Sequence, residues 1–256
     1  MMSHLTLLAA GLFLPLFPMS MVFNVLYARV RHPVLRGVLL LAWPQVGLFI
    51  LLKSGVTIPG WLLAWALLTS LLYGLRALVL REVGLWSSFV ATSAWALLWI
   101  LCGSGVSAVQ MQGQMQLFGL GISAPLVLLA FLVAGLERRF GAAYLGLYGG
   151  LAHSLPRFTG VLVVVVLAII ATPLFPTFFA MLSMIIKALP ATPIIAVGVG
   201  IVWLLWSWAG ARLLQGLITG PQQLAVADLG QANMWLYIGV LAGLMFSGVY
   251  WLGAIL

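Results

Sequence analysis

Eight apolar stretches, each about the length needed to cross a bilayer, follow one another along the 256 residues of this chain. Hydrophobic residues make up 64% of the sequence and charged residues 5%. A soluble domain of this size cannot hide so much apolar surface, so the composition indicates a polytopic, all-α membrane helix bundle forming a single domain over residues 1–256. A membrane barrel would instead show shorter segments of alternating polarity. The predicted spans are residues 5–27, 34–52, 61–80, 85–102, 117–136, 159–186, 194–214 and 234–256.

The arginines divide the connections between these stretches into two classes. All of them lie in the first, third, fifth and seventh connections or at the span ends beside them, whereas the even-numbered connections carry only Lys53 and Lys187. By the positive-inside rule, the arginine-rich loops are cytoplasmic and both termini lie on the other side of a bacterial inner membrane. The first residues lack the basic region and cleavage site of a signal peptide, so we interpret them as the start of the first span.

The sixth stretch is interrupted by Thr172, Pro173 and Pro176. Proline removes a backbone donor, and lipid does not tolerate loose backbone, so such a break must be buried in protein or line a cavity. Broken membrane helices often lie at ion or substrate paths. These residues, with Lys187 at the end of the span, are therefore the candidate functional positions. The alternatives are a merely kinked helix and, for Lys187, a side chain that reaches the interface.

The spans lack the ionisable side chains that usually mark a proton or ion path. Glu82, Glu137 and Asp228 lie at or beyond helix ends, and the histidines are in terminal or loop positions. Milder polar groups such as Gln45 are expected to form hydrogen bonds between helices. The single cysteine, Cys102, permits no internal disulfide, and no residues have metal-ligand or cofactor-ligand spacing. We expect no metal, no cofactor, no nucleic-acid partner and no enzymatic activity by this chain on its own.

A glycine-containing motif precedes the broken span. Tyr148-Gly149-Gly150-Leu151-Ala152 and Pro156-Arg157 match the pattern Y-G-G-L-A-x-x-x-P-R. This pattern, followed by a broken helix, resembles the antiporter-like membrane subunits of respiratory complex I and related complexes, and the resemblance covers their C-terminal half, helices seven to fourteen. Partial matches to the same family are Phe17-Pro18-Met19-Ser20, Pro33-Val34-Leu35, Gly47, residues 84–93, residues 114–138, residues 203–216 and Asp228-Leu229.

The resemblance implies a proton path that this sequence has lost. The family moves protons along a mid-membrane axis of titratable side chains, and the matching positions here hold Leu39, Ala42, Ser123 and Met181. The family's D-L-K-R motif has become Gly84-Leu85-Trp86-Ser87. A buried charge is costly and is kept only where it is used, so these replacements argue against conduction by the family mechanism. The family's first six helices have no counterpart in the sequence, which predicts a truncated antiporter-like fold.

Three hypotheses remain open. The chain is an accessory, non-conducting subunit beside a full-length antiporter-like subunit; or an ion-translocating subunit of a complex I-like, hydrogenase or cation/proton antiporter assembly; or a membrane scaffold or assembly factor. Within the first, analogy favours a bacterial inorganic-carbon uptake complex, in which the family is paired with a carbonic-anhydrase-like zinc protein.

Overall fold

The computed structural model describes residues 2–55, 58–103, 108–147, 149–220 and 226–255. Over these residues the chain is helical, with one isolated β-bridge between Glu82 and Tyr144. The all-helical prediction is confirmed. The helices are α1 (Met2–Phe13), α2 (Ser20–Arg29), α3 (Pro33–Ser54), α4 (Gly60–Val79), α5 (Val83–Cys102), α6 (Ala108–Phe140), α7 (Leu151–Ser154), α8 (Pro156–Ile169), α9 (Pro176–Ala188), α10 (Pro193–Ile218) and α11 (Gln231–Ile255).

Six of the described helices are long and apolar enough to cross a membrane, namely α3, α4, α5, α6, α10 and α11. The shorter apolar helices α8 and α9 lie on either side of the predicted break, so the sixth span is broken as expected. The predicted boundaries of the long spans lie within a few residues of these helices, apart from α6, which begins nine residues earlier than expected. The predicted end of the last span, Leu256, lies outside the described residues.

The prediction of one continuous helix over residues 5–27 is wrong. The chain forms two helices, α1 and α2, separated by a turn at residues 14–19. Pro15 and Pro18 lie in this turn, and each removes a backbone donor that a continuous helix would need. The peptide bond between Phe17 and Pro18 is cis.

The two short helices nevertheless form one broken crossing beside α3. At the end of α1, the ring of Phe13 lies 5.0 Å from that of Trp43. Near the end of α2, the ring of Tyr27 lies 5.6 Å from the Arg36 guanidinium carbon. Because α3 runs from Arg36 towards Lys53, α1 followed by α2 runs in the opposite direction beside it. Counting each broken pair once and setting aside the short α7, the described residues contain eight helical stretches, in agreement with the eight predicted spans.

Proline begins four of the helices at the position where its missing N–H has no helical partner to lose. These residues are Pro33 in α3, Pro156 in α8, Pro176 in α9 and Pro193 in α10. The prolines therefore fix where the crossings start, and Pro176 fixes where the chain becomes helical again after the second break.

Helix α5 lies at the centre of the bundle, with almost all of its residues buried by α2, α4, α6, α9 and α10. The arginine-bearing connections meet at one end of the bundle. The Arg36 guanidinium lies 3.3 Å from the Glu137 carboxylate, and the Arg81 carbonyl accepts the Leu145 amide at 2.8 Å. Arg139 donates to the Ala227 carbonyl at 3.0 Å. The separation of arginines to one end is thus a property of the fold.

Candidate functional site

The break between α8 and α9 has a strained backbone. Ala171 has a φ of 59° and Leu174 a φ of 84°, which is the left-handed region that side chains with a Cβ seldom adopt. Pro173 lies between them, and Pro176 starts α9. The structure therefore places the predicted break where the sequence indicated it, with its backbone held in an unusual path by its surroundings.

Protein donors occupy three carbonyl groups at the end of α8. Thr172 Oγ1 donates to the Leu167 oxygen at 2.9 Å, and Thr177 Oγ1 donates to the Ala168 oxygen at 2.6 Å. The third carbonyl, of Ile170, accepts the indole N–H of Trp203 from α10 at 3.1 Å. These acceptors would otherwise be the natural ligands for water or a cation at a break. Here they are satisfied from within the chain.

Two glycines let neighbouring helices approach the break closely. A Cβ on Gly121 of α6 would lie 2.6 Å from the Cβ of Pro176. A Cβ on Gly248 of α11 would overlap the Leu174 carbonyl oxygen. Both glycines are buried. The break is therefore packed tightly on two sides, by α6 and α11.

The first break, at residues 14–19, was missed in the sequence, and it is closed in the same way. Indole N–H groups from three different helices donate to carbonyls in the break or at the end of α1: Trp43 to Leu12 at 3.1 Å, Trp99 to Leu14 at 2.9 Å and Trp65 to Phe17 at 2.7 Å. The Phe17 amide donates to Thr69 Oγ1 at 3.2 Å. Pro15 and Pro18 were the sequence signal that could have revealed this break. Tryptophans thus supply donors at both interruptions of the fold.

Helix α5 presents a polar face to its neighbours inside the bundle. Its hydroxyl groups pair with side chains of α2, α4 and α10. Tyr27 and Ser87 are bonded at 3.2 Å, and Ser70 and Ser93 at 3.0 Å. The Asn24 amide donates to Thr92 at 3.2 Å, and the Trp206 indole donates to Ser93 at 2.9 Å. A further bond joins Ser20 to Tyr73 at 2.8 Å. These are hydroxyl, amide and indole groups, which act here as hydrogen-bond donors and acceptors.

Charges lie at the arginine-rich end of this interior. Arg36 is buried, with its side chain 7% exposed, and it forms the ion pair with Glu137 while donating to the Val30 carbonyl at 2.7 Å. On the outer surface, the Tyr144 hydroxyl donates to Glu82 at 3.3 Å, and the negative charge of Glu82 raises the pKa of Tyr144 above its ordinary value. Within the described residues, no group of three or more His, Cys, Asp or Glu side chains could hold a metal ion.

The four positions matched to the family's proton path lie in different environments. Ser123 is fully buried and accepts the Trp95 indole N–H at 3.2 Å, and Met181 is buried in the core. Leu39 is half-buried, but Ala42 lies on the exposed face of α3. The structure therefore puts Ser123 and Met181 in the bundle interior and leaves Ala42 outside it. Lys187 is half-buried in the last turn of α9.

The glycine-containing motif lies beside the arginine-rich end, although Tyr148 lies outside the described residues. The Gly150 amide donates to the Thr219 carbonyl at 3.1 Å, and Gly149 packs against the same carbonyl. Asp228 lies shortly before the last helix, and its carboxylate accepts the backbone amides of Arg157 at 2.9 Å and Phe158 at 3.1 Å. The motif and Asp228 thus tie the connection after α10 to the start of α7 and α8.

Comparison with solved structures finds the same fold in chains of several membrane complexes. A chain of respiratory complex I from Thermus thermophilus superposes with a TM-score of 0.82 at 20% identity, covering 96% of this chain and 54% of that one. The chain has the fold of subunits of such complexes. A chain of the Mrp complex from Dietzia sp. DQ12-45-1b gives 0.74 at 20% identity, covering 86% of this chain and 42% of the other. A chain of the archaeal membrane-bound sulfane sulfur reductase, a respiratory membrane complex, gives 0.76 at 17%, covering 96% and 52%.

These likenesses confirm the resemblance to antiporter-like subunits of complex I and its relatives at the level of the fold. The chain spans about half the length of the chains it matches. No family model matches the sequence, and no curated protein matches it. The fold and the apolar helices together make the chain a multi-pass membrane protein.

Proposed function

We propose that this chain is an accessory subunit of a multisubunit, proton-coupled membrane complex and does not itself conduct protons. The observation that carries the proposal is the interior around α5. The polar groups bonded there are buried hydroxyls, an amide and an indole, at 2.8–3.2 Å, whereas the buried indole N–H of Trp86 in α5 has no hydrogen-bond partner among the described residues. A relay by the family mechanism needs groups that gain and lose protons at mid-membrane, and such groups are retained where they are used.

The state of the two helix breaks supports the same proposal. Carbonyls at each break accept hydrogen bonds from tryptophan or threonine side chains, with Trp99 on Leu14 and Trp203 on Ile170 as the clearest cases. An indole N–H can donate but cannot accept a proton or coordinate a cation. Breaks whose carbonyls are bonded in this way hold neighbouring helices together.

The exposed apolar surface suits a role in lateral packing. Large side chains such as Trp61, Ile194 and Leu204 are more than half exposed on α4 and α10. We propose that part of this surface contacts a full-length antiporter-like subunit and that the chain corresponds to helices seven to fourteen of that partner. Among the possible assemblies we favour an inorganic-carbon uptake complex of the bacterial inner membrane, with a carbonic-anhydrase-like zinc protein as a further partner.

The alternative of an ion-translocating subunit has one observation in its favour. The bond between Tyr27 and Ser87 lies next to the Arg36–Glu137 ion pair, so polar groups extend inward from the arginine-rich end. Water or a partner's side chains would have to complete such a path. In this alternative, Thr172, Pro173, Pro176 and Lys187 would line the exit.

Purification through a tag on this chain in mild detergent, followed by mass spectrometry, tests the assembly. A full-length antiporter-like subunit with a soluble zinc protein supports the inorganic-carbon proposal. Redox subunits with iron–sulfur or flavin groups would contradict that choice of complex and favour a complex I or hydrogenase relative. A chain that purifies alone and moves ions in liposomes would contradict the accessory role.

Replacement of Lys187 by alanine tests the non-conducting role in the intact complex. We expect transport in proteoliposomes to be unchanged, because Lys187 lies at a helix end where its ammonium group can reach the interface. Loss of transport in an assembled complex would contradict the proposal.

Cysteine labelling near Arg29, Arg81 and Arg138 tests the proposed orientation, with labelling expected from the cytoplasmic side.

A further inference from the structure

A cleft of about 500 Å³ opens between α6, α8 and α11 at the arginine-rich end of the bundle. It exists because α11 packs mainly against α8 and α9 and touches α6 little. Phe131 and Leu132 of α6 form one wall, and Leu236 of α11 forms the other. Arg138 and Asn233 lie at the polar end. Its volume falls in the range of small-molecule sites.

The lining changes from polar to apolar along the membrane normal. Leu128 and Arg138, both in the wall, are ten residues apart on α6, which is about 15 Å of helix. The hydrocarbon core of a bilayer is about 30 Å thick, so this depth corresponds to about one leaflet. A ligand that fills the cleft therefore needs a polar end at the interface and an apolar tail reaching towards the membrane centre.

The polar end of the cleft is positively charged. Arg138 is exposed and uses its Nε to bond the Ala134 carbonyl at 3.2 Å. Arg139 donates to the carbonyls of Ala227 at 3.0 Å, Gly135 at 3.1 Å and Asp228 at 3.5 Å, all of which are neutral acceptors. No acidic side chain is among the residues described as lining this cleft. The nearby Asp228 carboxylate is occupied by backbone amides at the start of α8.

We propose that this cleft binds an anionic phospholipid, with the phosphate at Arg138 and an acyl chain between Phe131 and Leu236. Basic pockets between transmembrane helices are suited to acidic lipid headgroups, and a lipid satisfies both ends of the polarity gradient. A free phosphate would leave the apolar walls unused. A bound acyl chain would also fill the space between α11 and α6, where the two helices make few contacts.

The test compares lipids of equal chain length on the complex purified through this chain. Phosphatidylglycerol, phosphatidylcholine and inorganic phosphate are each titrated in detergent, and binding is followed by native mass spectrometry and by thermal stability. We expect retention and stabilisation with phosphatidylglycerol that exceed those with phosphatidylcholine. Equal effects of the two lipids would overturn the proposal, and so would an equal effect of inorganic phosphate, which would indicate a free-anion site.

Matched variants locate the site. Arg138→Gln should weaken phosphatidylglycerol binding about fivefold, since an arginine near an anionic headgroup contributes about 1 kcal/mol. Arg138→Lys should retain most of the binding. Arg76→Gln removes the same charge from an exposed arginine outside the cleft and should leave binding unchanged. Leu236→Trp, which fills the apolar part, should weaken lipid binding without altering the charge. Equal losses in Arg76→Gln and Arg138→Gln would show that only overall charge matters and would overturn the proposal.

Discussion

The indole nitrogen of Trp203 lies 3.1 Å from the carbonyl oxygen of Ile170, the residue that directly follows the last residue of α8. This bond joins α10 to the second helix break, and Trp99 makes the equivalent bond to Leu14 at the first break. Inside a membrane, a carbonyl without a donor is costly because no bulk water can replace the lost partner. The tryptophans therefore stabilise an interrupted backbone that would otherwise need water or an ion.

Replacing Trp203 by phenylalanine tests the role of this bond. The variant keeps an aromatic ring but loses the donor, so we expect a loss of about 1–3 kcal/mol in the free energy of unfolding. The measurement is denaturation in mild detergent followed by circular dichroism. Trp208→Phe is the control, because Trp208 lies on the same helix with 60% of its surface exposed. Equal stability of the two variants would contradict the proposed role of the indole N–H.

Gly248 provides a second test, directed at the packing of α11 on the break. Alanine at this position would place its Cβ against the Leu174 carbonyl, so α11 must shift, with an expected cost of about 1–3 kcal/mol. Gly243 is the control, since a Cβ there meets nothing within 4 Å. Thermal unfolding and limited proteolysis of both variants measure the difference. A destabilised Gly243→Ala with a normal Gly248→Ala would show that α11 is placed differently.

Asp228 contributes stability from outside the helix that it caps. Its carboxylate accepts the amides of Arg157 and Phe158 at the start of α8, where free N–H groups and the helix dipole favour a negative charge. Asp228→Ala should therefore lower the free energy of unfolding by about 0.5–2 kcal/mol.

Glu82→Ala serves as the comparison for Asp228. Glu82 also carries a negative charge at the arginine-rich end, but its side-chain bond is to the exposed hydroxyl of Tyr144. Its removal should have a smaller effect on stability, measured under the same denaturing conditions. A larger effect of Glu82→Ala than of Asp228→Ala would contradict the capping role.

The sequence allowed prediction of the second break but not of the first. Pro173 and Pro176 interrupt a stretch too long for one crossing, whereas the stretch containing Pro15 and Pro18 had an ordinary length for one helix. Length and hydropathy therefore outweighed the prolines in the prediction. The structure shows that paired prolines within an apolar run indicate a break in both cases.

The partners that close the breaks could not be read from the sequence. Trp203 is 33 residues from Ile170, and Trp99 is 85 residues from Leu14, so these pairs exist only once the helices pack. The same holds for Asp228, whose resemblance to a family position gave no indication that it caps α8. The exposure of Ala42 also depends on which face of α3 meets α1 and α6.

Proton flux in proteoliposomes containing the intact complex tests the central claim most directly. The double variant Thr92→Val/Ser93→Ala removes the two α5 hydroxyls that form hydrogen bonds with Asn24 and Ser70. The non-conducting account predicts that the flux per assembled complex stays equal to that of the wild type, even if stability falls. A loss of flux of about tenfold or more, in a complex whose subunit composition and fold are intact, would show that protons pass through this chain and would contradict the account.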